Sequence, residues 1–206
     1  LVTDPAHRLM VALGYPSMPE AGDDISRLLK FKPTACEGLD RRIVDVVIRK
    51  QGEAAVGVLP AGEGWMFVEL AGNDPAEVRS RAEQLLAHAN TDAGWIVDDP
   101  ARATQLWKLR ADGAGLAGVS LAKPAYGSWE DAAVPPERLG AYLRDFDALL
   151  NKHGLHSLPY GHFGDGCVHA RIDFPFEAHD GQSRYRAFML DAAEMVASHG
   201  GSMSGE

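Results

Sequence analysis

The segment that most constrains the fold is YGHFGDGCVHARIDF, residues 160–174. From residue 168 onward, apolar and ionisable side chains alternate strictly, which predicts a strand with one buried and one polar face. Asp165-Gly166 directly before it favours a tight hairpin turn, because such turns need positive φ angles that this pair tolerates. The chain must therefore contain antiparallel pairing. The apolar face of the strand carries Val168, Ala170, Ile172 and Phe174, and the polar face carries His169, Arg171 and Asp173.

Strand-like and helical patterns alternate along the rest of the chain. Apolar runs predict strands at 9–13, 34–36, 65–70 and 95–97, and helical spacing predicts helices at 19–30, 40–47, 74–89, 100–110, 135–153 and 188–196. Residues 111–133 are rich in Gly, Ala and Ser and are predicted to form a long loop. Most connections are too short for a parallel wound sheet. We predict an α+β fold, an antiparallel sheet with helices packed on one face, for which two ferredoxin-like halves are a compatible arrangement.

Composition excludes several classes of function. The chain has 206 residues and 46% hydrophobic residues, enough for a core without disulfides. A net charge of -9 argues against a nucleic-acid binder. Cys36 and Cys167 form no CxxC pair, so neither a zinc knuckle nor an iron–sulfur cluster is encoded. No apolar run approaches the roughly 18 residues of a membrane span. The expected location is the cytoplasm, with peripheral attachment to a membrane as the alternative.

Two histidines on the hairpin are candidates for metal ligands. With Asp165-Gly166 as the turn, His162 lies directly opposite His169, with Cβ atoms roughly 5 Å apart. A turn at Gly164-Asp165 would instead place His169 opposite Tyr160. Both registers leave the two histidines on one face, close enough to share a divalent ion. The alternative interpretation is a pair of solvent-facing histidines beside a turn.

Two imidazoles need a carboxylate to complete such a site, and Glu206, at the end of a flexible glycine-rich path, is the candidate. A set of this kind leaves open positions that an α-hydroxy acid can fill through its carboxylate and hydroxyl oxygens. Arg171 and Arg110 are candidates for binding the substrate carboxylate, by bidentate hydrogen bonding. For Arg110 the alternative is a surface arginine at the end of its helix.

At this point the motifs resemble a known family. GHFGDGCVH at 161–169 resembles the GHxGDGxxH signature in the C-terminal domain of FAD-linked oxidases, which include D-lactate dehydrogenases, glycolate oxidase and D-2-hydroxyglutarate dehydrogenase. HGGSMSGE at 199–206 is similar to the family's second motif, GGxxSGEHG. WKLR at 107–110 resembles the helix end that carries the substrate-carboxylate arginine. The resemblance extends over 1–206 as one domain of a longer chain that also has a flavin-binding domain.

The resemblance implies a metal site and a reaction. The metal ligands would be His162, His169 and Glu206, holding Zn or Mn, and FAD would belong to the parent protein. That protein would oxidise a D-2-hydroxy acid to a 2-oxo acid, with hydride transfer to FAD. The family's histidine after the motif glutamate, a candidate catalytic base, would follow Glu206. No catalytic base and no flavin-binding residue is assigned within the chain.

The sequence departs from the family pattern at two positions. The usual asparagine is Cys167, and a lysine near position 129 in relatives is Trp129. Cys167, together with residues 130–137, resembles the large bacterial members fused to iron–sulfur modules, so such a module is an expected electron acceptor. The thiol is either an extra metal ligand or a structural cysteine.

The chain lacks an initial methionine and stops after a glycine-rich stretch, so we expect a fragment that neither retains FAD nor turns over substrate. Two other functions remain as alternatives. One is a stand-alone metal-dependent hydrolase that uses the same histidines. The other is a non-catalytic ferredoxin-like module that binds a small ligand.

Overall fold

A computed structural model describes residues 3–116, 121 and 123–203. The strands within these ranges are β1 (His7–Tyr15), β2 (Ala35–Asp40), β3 (Gly64–Gly72), β4 (Gly94–Val97), β5 (Tyr126–Ala133), β6 (Ser157–Gly161) and β7 (Cys167–Ile172). The helices are α1 (Met18–Leu28), α2 (Arg41–Gln51), α3 (Glu53–Val56), α4 (Pro75–His88), α5 (Pro100–Leu116), α6 (Leu139–His153) and α7 (Gly181–Ser198). In this part of the chain, no helix combines the length and apolarity that crossing a bilayer requires.

Local signals in the sequence set several helix ends. The side chains of Asp40 and Asp74 accept hydrogen bonds from the backbone N–H groups of Arg42 and Ala76, and so cap α2 and α4. Gly154 ends α6 in the left-handed conformation, with a φ of 62°. All three residues stand at helix ends where the sequence pattern predicts them.

The seven strands form one antiparallel sheet in the order β4-β1-β3-β2-β6-β7-β5. The first four strands have the order of a ferredoxin-like unit. In the second half, β5, β6 and β7 repeat that pattern, and Ser202 bridges Ala133 at the position of the fourth strand. The halves join where Gly38 pairs with Gly161 and Leu39 with Tyr160. The predicted α+β class and antiparallel sheet are confirmed, and the strand order agrees with two ferredoxin-like halves.

Helices cover both faces of the sheet, which corrects the prediction of helices on one face. Helices α1, α4, α6 and α7 pack on one face, over a core that includes Trp129, Phe163 and Phe188. Helices α2 and α5 cover part of the other face, where they contact Phe67 and Leu39. The physical reason is that β1 and β3 bury apolar side chains on both of their faces, so both need a cover.

The predicted loop at 111–133 is also corrected. Helix α5 continues through Asp112 and Gly113 to Leu116, and β5 begins at Tyr126. A glycine inside a helix costs only about 1 kcal/mol, so it did not end α5. Strand β5 was hidden because its pairing with β7 shifts register twice, between Gly127 and Trp129 and between Trp129 and Ala132, which blurs the alternation.

The loop of the hairpin is longer than predicted. Residues 162–166 connect the strands, and the Cys167 N–H donates to the His162 carbonyl oxygen at 3.1 Å. Tyr160 therefore pairs with His169, which is the second of the two registers considered. The predicted two-residue turn was wrong, because Phe163–Asp165 form a 3-10 turn, from which the Phe163 ring enters the core and packs on Gly38.

Candidate functional site

A cavity of about 500 Å³ opens on the sheet face that α2 and α5 cover in part. It lies beside α5, over the strands of the second half. Its walls come from α5, β5, β6, β7 and the first residue of the hairpin loop. The lining residues are Arg110, Gly127, Glu130, Tyr160, His162, His169 and Arg171. Four of the five residues predicted from the sequence as ligands or substrate contacts therefore share one cavity, and the fifth, Glu206, lies outside the described residues.

The two histidines of the hairpin meet in this cavity. The ring centroids of His162 and His169 lie 5.2 Å apart, with the rings nearly perpendicular. The Tyr160 ring lies 5.2 Å from the His169 ring on the other side. The His162 side chain is 48% exposed and that of His169 is 15% exposed. Solvent thus reaches the pair at His162, while His169 is largely buried and packs against Tyr160.

Glu37, at the centre of β2, connects His162 to Arg110. The Nδ1–H of His162 donates to Oε1 of Glu37 at 2.8 Å. On the other oxygen, Oε2, Glu37 accepts from Arg110 Nε at 3.1 Å, and Arg110 Nη2 lies 2.8 Å away. The guanidinium also lies over the Tyr160 ring, 5.2 Å from its centroid. Both partners of this ion pair are nearly buried, with side chains 11% and 12% exposed, so the pair holds the guanidinium in a fixed position.

Glu130, on β5, lies at ion-pair distance from the other histidine and the other arginine. Its Oε2 lies 3.1 Å from Nδ1 of His169, and its Oε1 lies 3.2 Å from Nη1 of Arg171. Burial and the charge of Glu130 raise the pKa of the neighbouring Tyr160 phenol, while Arg171 and Arg110 oppose that shift. The Tyr160 hydroxyl is therefore protonated at neutral pH and can donate a hydrogen bond.

The donor set fits a divalent metal. Each histidine presents Nδ1 to a carboxylate, which leaves Nε2 of His162 and of His169 as the ligand atoms. A carboxylate behind a metal-binding imidazole is the usual arrangement, because it fixes the tautomer and the ring orientation. Glu37 and Glu130 provide these carboxylates. The role of the histidines as ligands, with Glu206 as the third, stays a prediction.

The positions of the arginines correct one detail of the sequence analysis. Arg110 lies inside α5 and not at its end, and it is buried beneath the cavity. The alternative of a surface arginine is therefore wrong. Arg171 is on the polar face of β7 as predicted, with its side chain 35% exposed. The sequence pattern places Asp173 on the same face, but its carboxylate lies away from the cavity. It accepts a hydrogen bond from the backbone N–H of His156, and its other oxygen lies beside Nδ1 of the His156 ring.

Trp129 and Cys167, the two departures from the family pattern, lie on opposite faces of the sheet. Trp129 is buried in the core on the opposite face, where its Nε1–H donates to the Tyr142 hydroxyl at 2.9 Å. It therefore does not take the place of a substrate-binding lysine. Cys167 is half-buried beside the cavity, and its thiol donates to Asp131 Oδ1 at 3.4 Å. Burial, followed by the contact with Asp131, raises the pKa of the Cys167 thiol to about 12.

Sequence reasoning missed the two glutamates and the structural role of Tyr160. Glu37 was detectable in part, because a charged residue between Cys36 and Gly38 in a buried strand needs a partner. Glu130 gave no such signal, since its strand was not recognised.

Comparison with known proteins finds a matching family and several relatives. Residues 4–206 match the family described as FAD linked oxidases, C-terminal domain. A D-2-hydroxyglutarate dehydrogenase of Pseudomonas putida is 29% identical over 180 residues, covering 81% of this chain and 18% of the relative. A D-lactate dehydrogenase of Archaeoglobus fulgidus is 28% identical over 198 residues, covering 96% of this chain and 42% of the relative. The chain thus spans less than half of the length of either protein.

Two solved structures show the same fold. An alkyldihydroxyacetonephosphate synthase superposes with a TM-score of 0.62 at 10% identity, over 98% of this chain and 40% of the other. A p-cresol methylhydroxylase superposes with a TM-score of 0.57 at 10% identity, over 96% of this chain and 45% of the other. At this identity the likeness concerns the architecture alone.

Proposed function

Because the chain belongs to the family of FAD linked oxidase C-terminal domains, we propose that it is the substrate- and metal-binding domain of a flavin-dependent dehydrogenase. The parent protein would oxidise a D-2-hydroxy acid to the 2-oxo acid. The observation that carries the proposal is the convergence of His162, His169, Arg110 and Arg171 on one cavity. Imidazoles suit a divalent ion and guanidinium groups suit a carboxylate, so together they match a hydroxy acid.

Each residue has a defined part in this proposal. Nε2 of His162 and of His169, with the Glu206 carboxylate, would hold Zn or Mn. A divalent ion there supplies Lewis acidity, which lowers the pKa of a substrate hydroxyl. Arg110 would hold the substrate carboxylate through Nη1, since Glu37 already engages its Nε and Nη2. The guanidinium of Arg110 lies over the Tyr160 ring, and this contact helps to hold its plane in position.

The remaining chemistry would come from elsewhere in the parent protein. FAD, bound by a separate flavin domain, would accept the hydride from the substrate Cα. The proton of the hydroxyl would go to a base that follows Glu206. An iron–sulfur module fused to the same chain is the proposed route by which electrons leave, and the cytoplasm remains the expected location.

The charges around the cavity make substrate binding dependent on the metal. Arg110 and Arg171 are each paired with a glutamate, so these four side chains carry no net charge. An anionic substrate would therefore gain its main electrostatic attraction from the divalent ion. We expect chelation to weaken substrate binding as well as turnover.

The test uses the full-length protein that contains this chain. Flavin reduction is followed anaerobically with D-lactate, D-2-hydroxyglutarate and their L enantiomers, and bound metal is measured by elemental analysis. In wild type we expect reduction by a D acid and one equivalent of metal, and in His162→Ala we expect loss of flavin reduction and of Mn²⁺ binding. His179→Ala, which changes an exposed histidine outside the cavity, is the matched control and should behave as wild type.

Three outcomes would contradict the proposal. Flavin reduction that survives His162→Ala and His169→Ala together would remove the metal site from the reaction. Metal-dependent hydrolysis of esters or phosphoesters without flavin reduction would favour the hydrolase. Binding of a small ligand that needs neither histidine would favour the non-catalytic module.

A further inference from the structure

Three chemically different side chains, those of Asp131, Cys167 and His169, lie close together. Oδ1 of Asp131 lies 3.4 Å from Sγ of Cys167 and 3.4 Å from Nδ1 of His169. One potential ligand atom from each of the three residues lies within 4.8 Å of those of the other two. Ligand atoms about 2.0–2.3 Å from a tetrahedral zinc ion are roughly 3.3–3.8 Å apart. Two of the separations already match that spacing.

The backbone of β5 directs Asp131 to this position. Asp131 has a φ of 54°, and among the described residues only one other non-glycine residue, Lys32, has a positive φ. The conformation occurs where the pairing of β5 with β7 shifts between Trp129 and Ala132. An irregularity of this kind re-aims a side chain. As a result, the carboxylate lies against the thiol of the neighbouring strand.

We propose that Asp131, Cys167 and His169 form a binding site for a thiophilic divalent cation of the Zn²⁺, Co²⁺ or Cd²⁺ class. A carboxylate, a thiolate and an imidazole together favour such ions over Mg²⁺, Ca²⁺ or Mn²⁺, which prefer oxygen ligands. Binding forms a metal–sulfur bond and releases the thiol proton to solvent. The set provides three ligands, so the fourth position would be taken by water. Asp131 and Cys167 are both partly exposed, which gives an ion access.

This site is separate from the one in the proposed function, although both use His169. The proposed catalytic metal would use Nε2 of His169 and Nε2 of His162, while the thiophilic ion would use Nδ1 of His169. A neutral imidazole has one nitrogen with a free electron pair, so the two sites exclude each other. Occupation of the cysteine site would therefore withdraw His169 from the catalytic metal and inhibit the enzyme.

Titration of the full 206-residue chain with Co²⁺ tests the site directly. A cysteine ligand produces a sulfur-to-cobalt charge-transfer absorption, which histidine and carboxylate ligands do not. We expect this absorption in wild type and its loss in Cys167→Ser. Asp131→Asn should weaken Co²⁺ binding about tenfold or more. Cooperative thermal unfolding of each variant verifies that it is folded.

Two further variants make the result specific. Cys36, the other cysteine in the chain, lies in the core against Met66. Cys36→Ala should therefore keep the absorption. His162→Ala should also keep it, whether or not the proposed function is correct. Absence of the band in wild type, its persistence in Cys167→Ser, or its loss in Cys36→Ala or His162→Ala would overturn the proposal. None of these readings depends on flavin or on turnover.

Discussion

Glu37 and Glu130 occupy equivalent positions on two sides of the same cavity. Each carboxylate contacts Nδ1 of one histidine and the guanidinium of one arginine. The glutamates therefore link the proposed metal ligands to the proposed substrate contacts. A change at either glutamate should affect both groups of residues, and the predictions below begin from this relationship.

The first prediction concerns metal affinity. Glu37→Ala removes the carboxylate that orients His162, and we expect about a 10- to 100-fold loss of metal affinity. Glu37→Gln, which keeps an acceptor oxygen, should lose less. Isothermal titration with Zn²⁺ and Mn²⁺ measures the effect, and Glu177→Ala, at an exposed position, is the control. Equal affinities for all three variants would mean that Glu37 does not support the ligand.

The second prediction concerns the stability of the nearly buried Arg110–Glu37 pair. Removing one partner leaves a charge without compensation, so Arg110→Met alone should lower the free energy of unfolding by about 3–5 kcal/mol. Arg110→Met combined with Glu37→Leu should recover most of that loss, because no buried charge then remains. Urea unfolding of both variants tests this. A double variant as unstable as the single one would show that packing, and not charge, dominates.

The third prediction is a pH dependence that involves Asp147 on α6. Burial, with a smaller contribution from Asp40, raises the pKa of Asp147, while Arg42 opposes the shift. The folded state therefore favours the protonated carboxyl. Its stabilising contribution is present below the unfolded pKa, about 3.9, and is lost as the pH rises through the higher folded pKa.

Asp147→Asn should consequently be more stable than wild type near neutral pH, and the difference should shrink toward about pH 4. Denaturant unfolding across this range measures the difference, with Asp92→Asn, at an exposed position, as the control. A gain in stability that does not vary with pH would exclude this explanation.

The fourth prediction compares two glycines with similar backbone angles. Gly166 in the hairpin loop has a φ of 67° and a ψ of 14°, and Gly154 at the end of α6 has a φ of 62° and a ψ of 39°. A Cβ at Gly166 would overlap the Val134 carbonyl oxygen, whereas the nearest atom to a Cβ at Gly154 would be Nη2 of Arg184, at 3.9 Å. Gly154→Ala should cost about 1–2 kcal/mol from backbone strain alone.

Gly166→Ala should cost clearly more than Gly154→Ala, and it should also weaken metal binding, because the hairpin loop begins at His162. Thermal unfolding and metal titration of the two variants provide the comparison. Similar losses in both would indicate that the Val134 segment moves away without penalty.

The sequence predicted the parts of the fold that depend on local pattern. The alternation from Val168 to Phe174 was sufficient to predict the faces of β7, and the capping residues Asp40 and Asp74 marked two helices. What could not be predicted depends on contacts between distant segments. The Phe163 ring of the hairpin loop packs against Gly38 of β2, and nothing near Phe163 in the sequence indicates that partner.

The site was predictable to a similar extent. The two histidines and Arg171 follow from one strand pattern, so they could be assigned together. Glu37 and Glu130 reach the cavity through the pairing of β2 with β6 and of β5 with β7, which no local spacing reveals.

The junction between the two ferredoxin-like halves has a consequence for assembly. Only two residue pairs join β2 to β6, yet Glu37 and Arg110 come from one side of this seam and His162 and His169 from the other. The second half holds both proposed histidine ligands, but Glu37, the carboxylate that orients His162, comes from the first half. If the halves were produced as two polypeptides, metal affinity would report their reassociation, and a small sliding motion along the seam would be enough to detach His162 from Glu37.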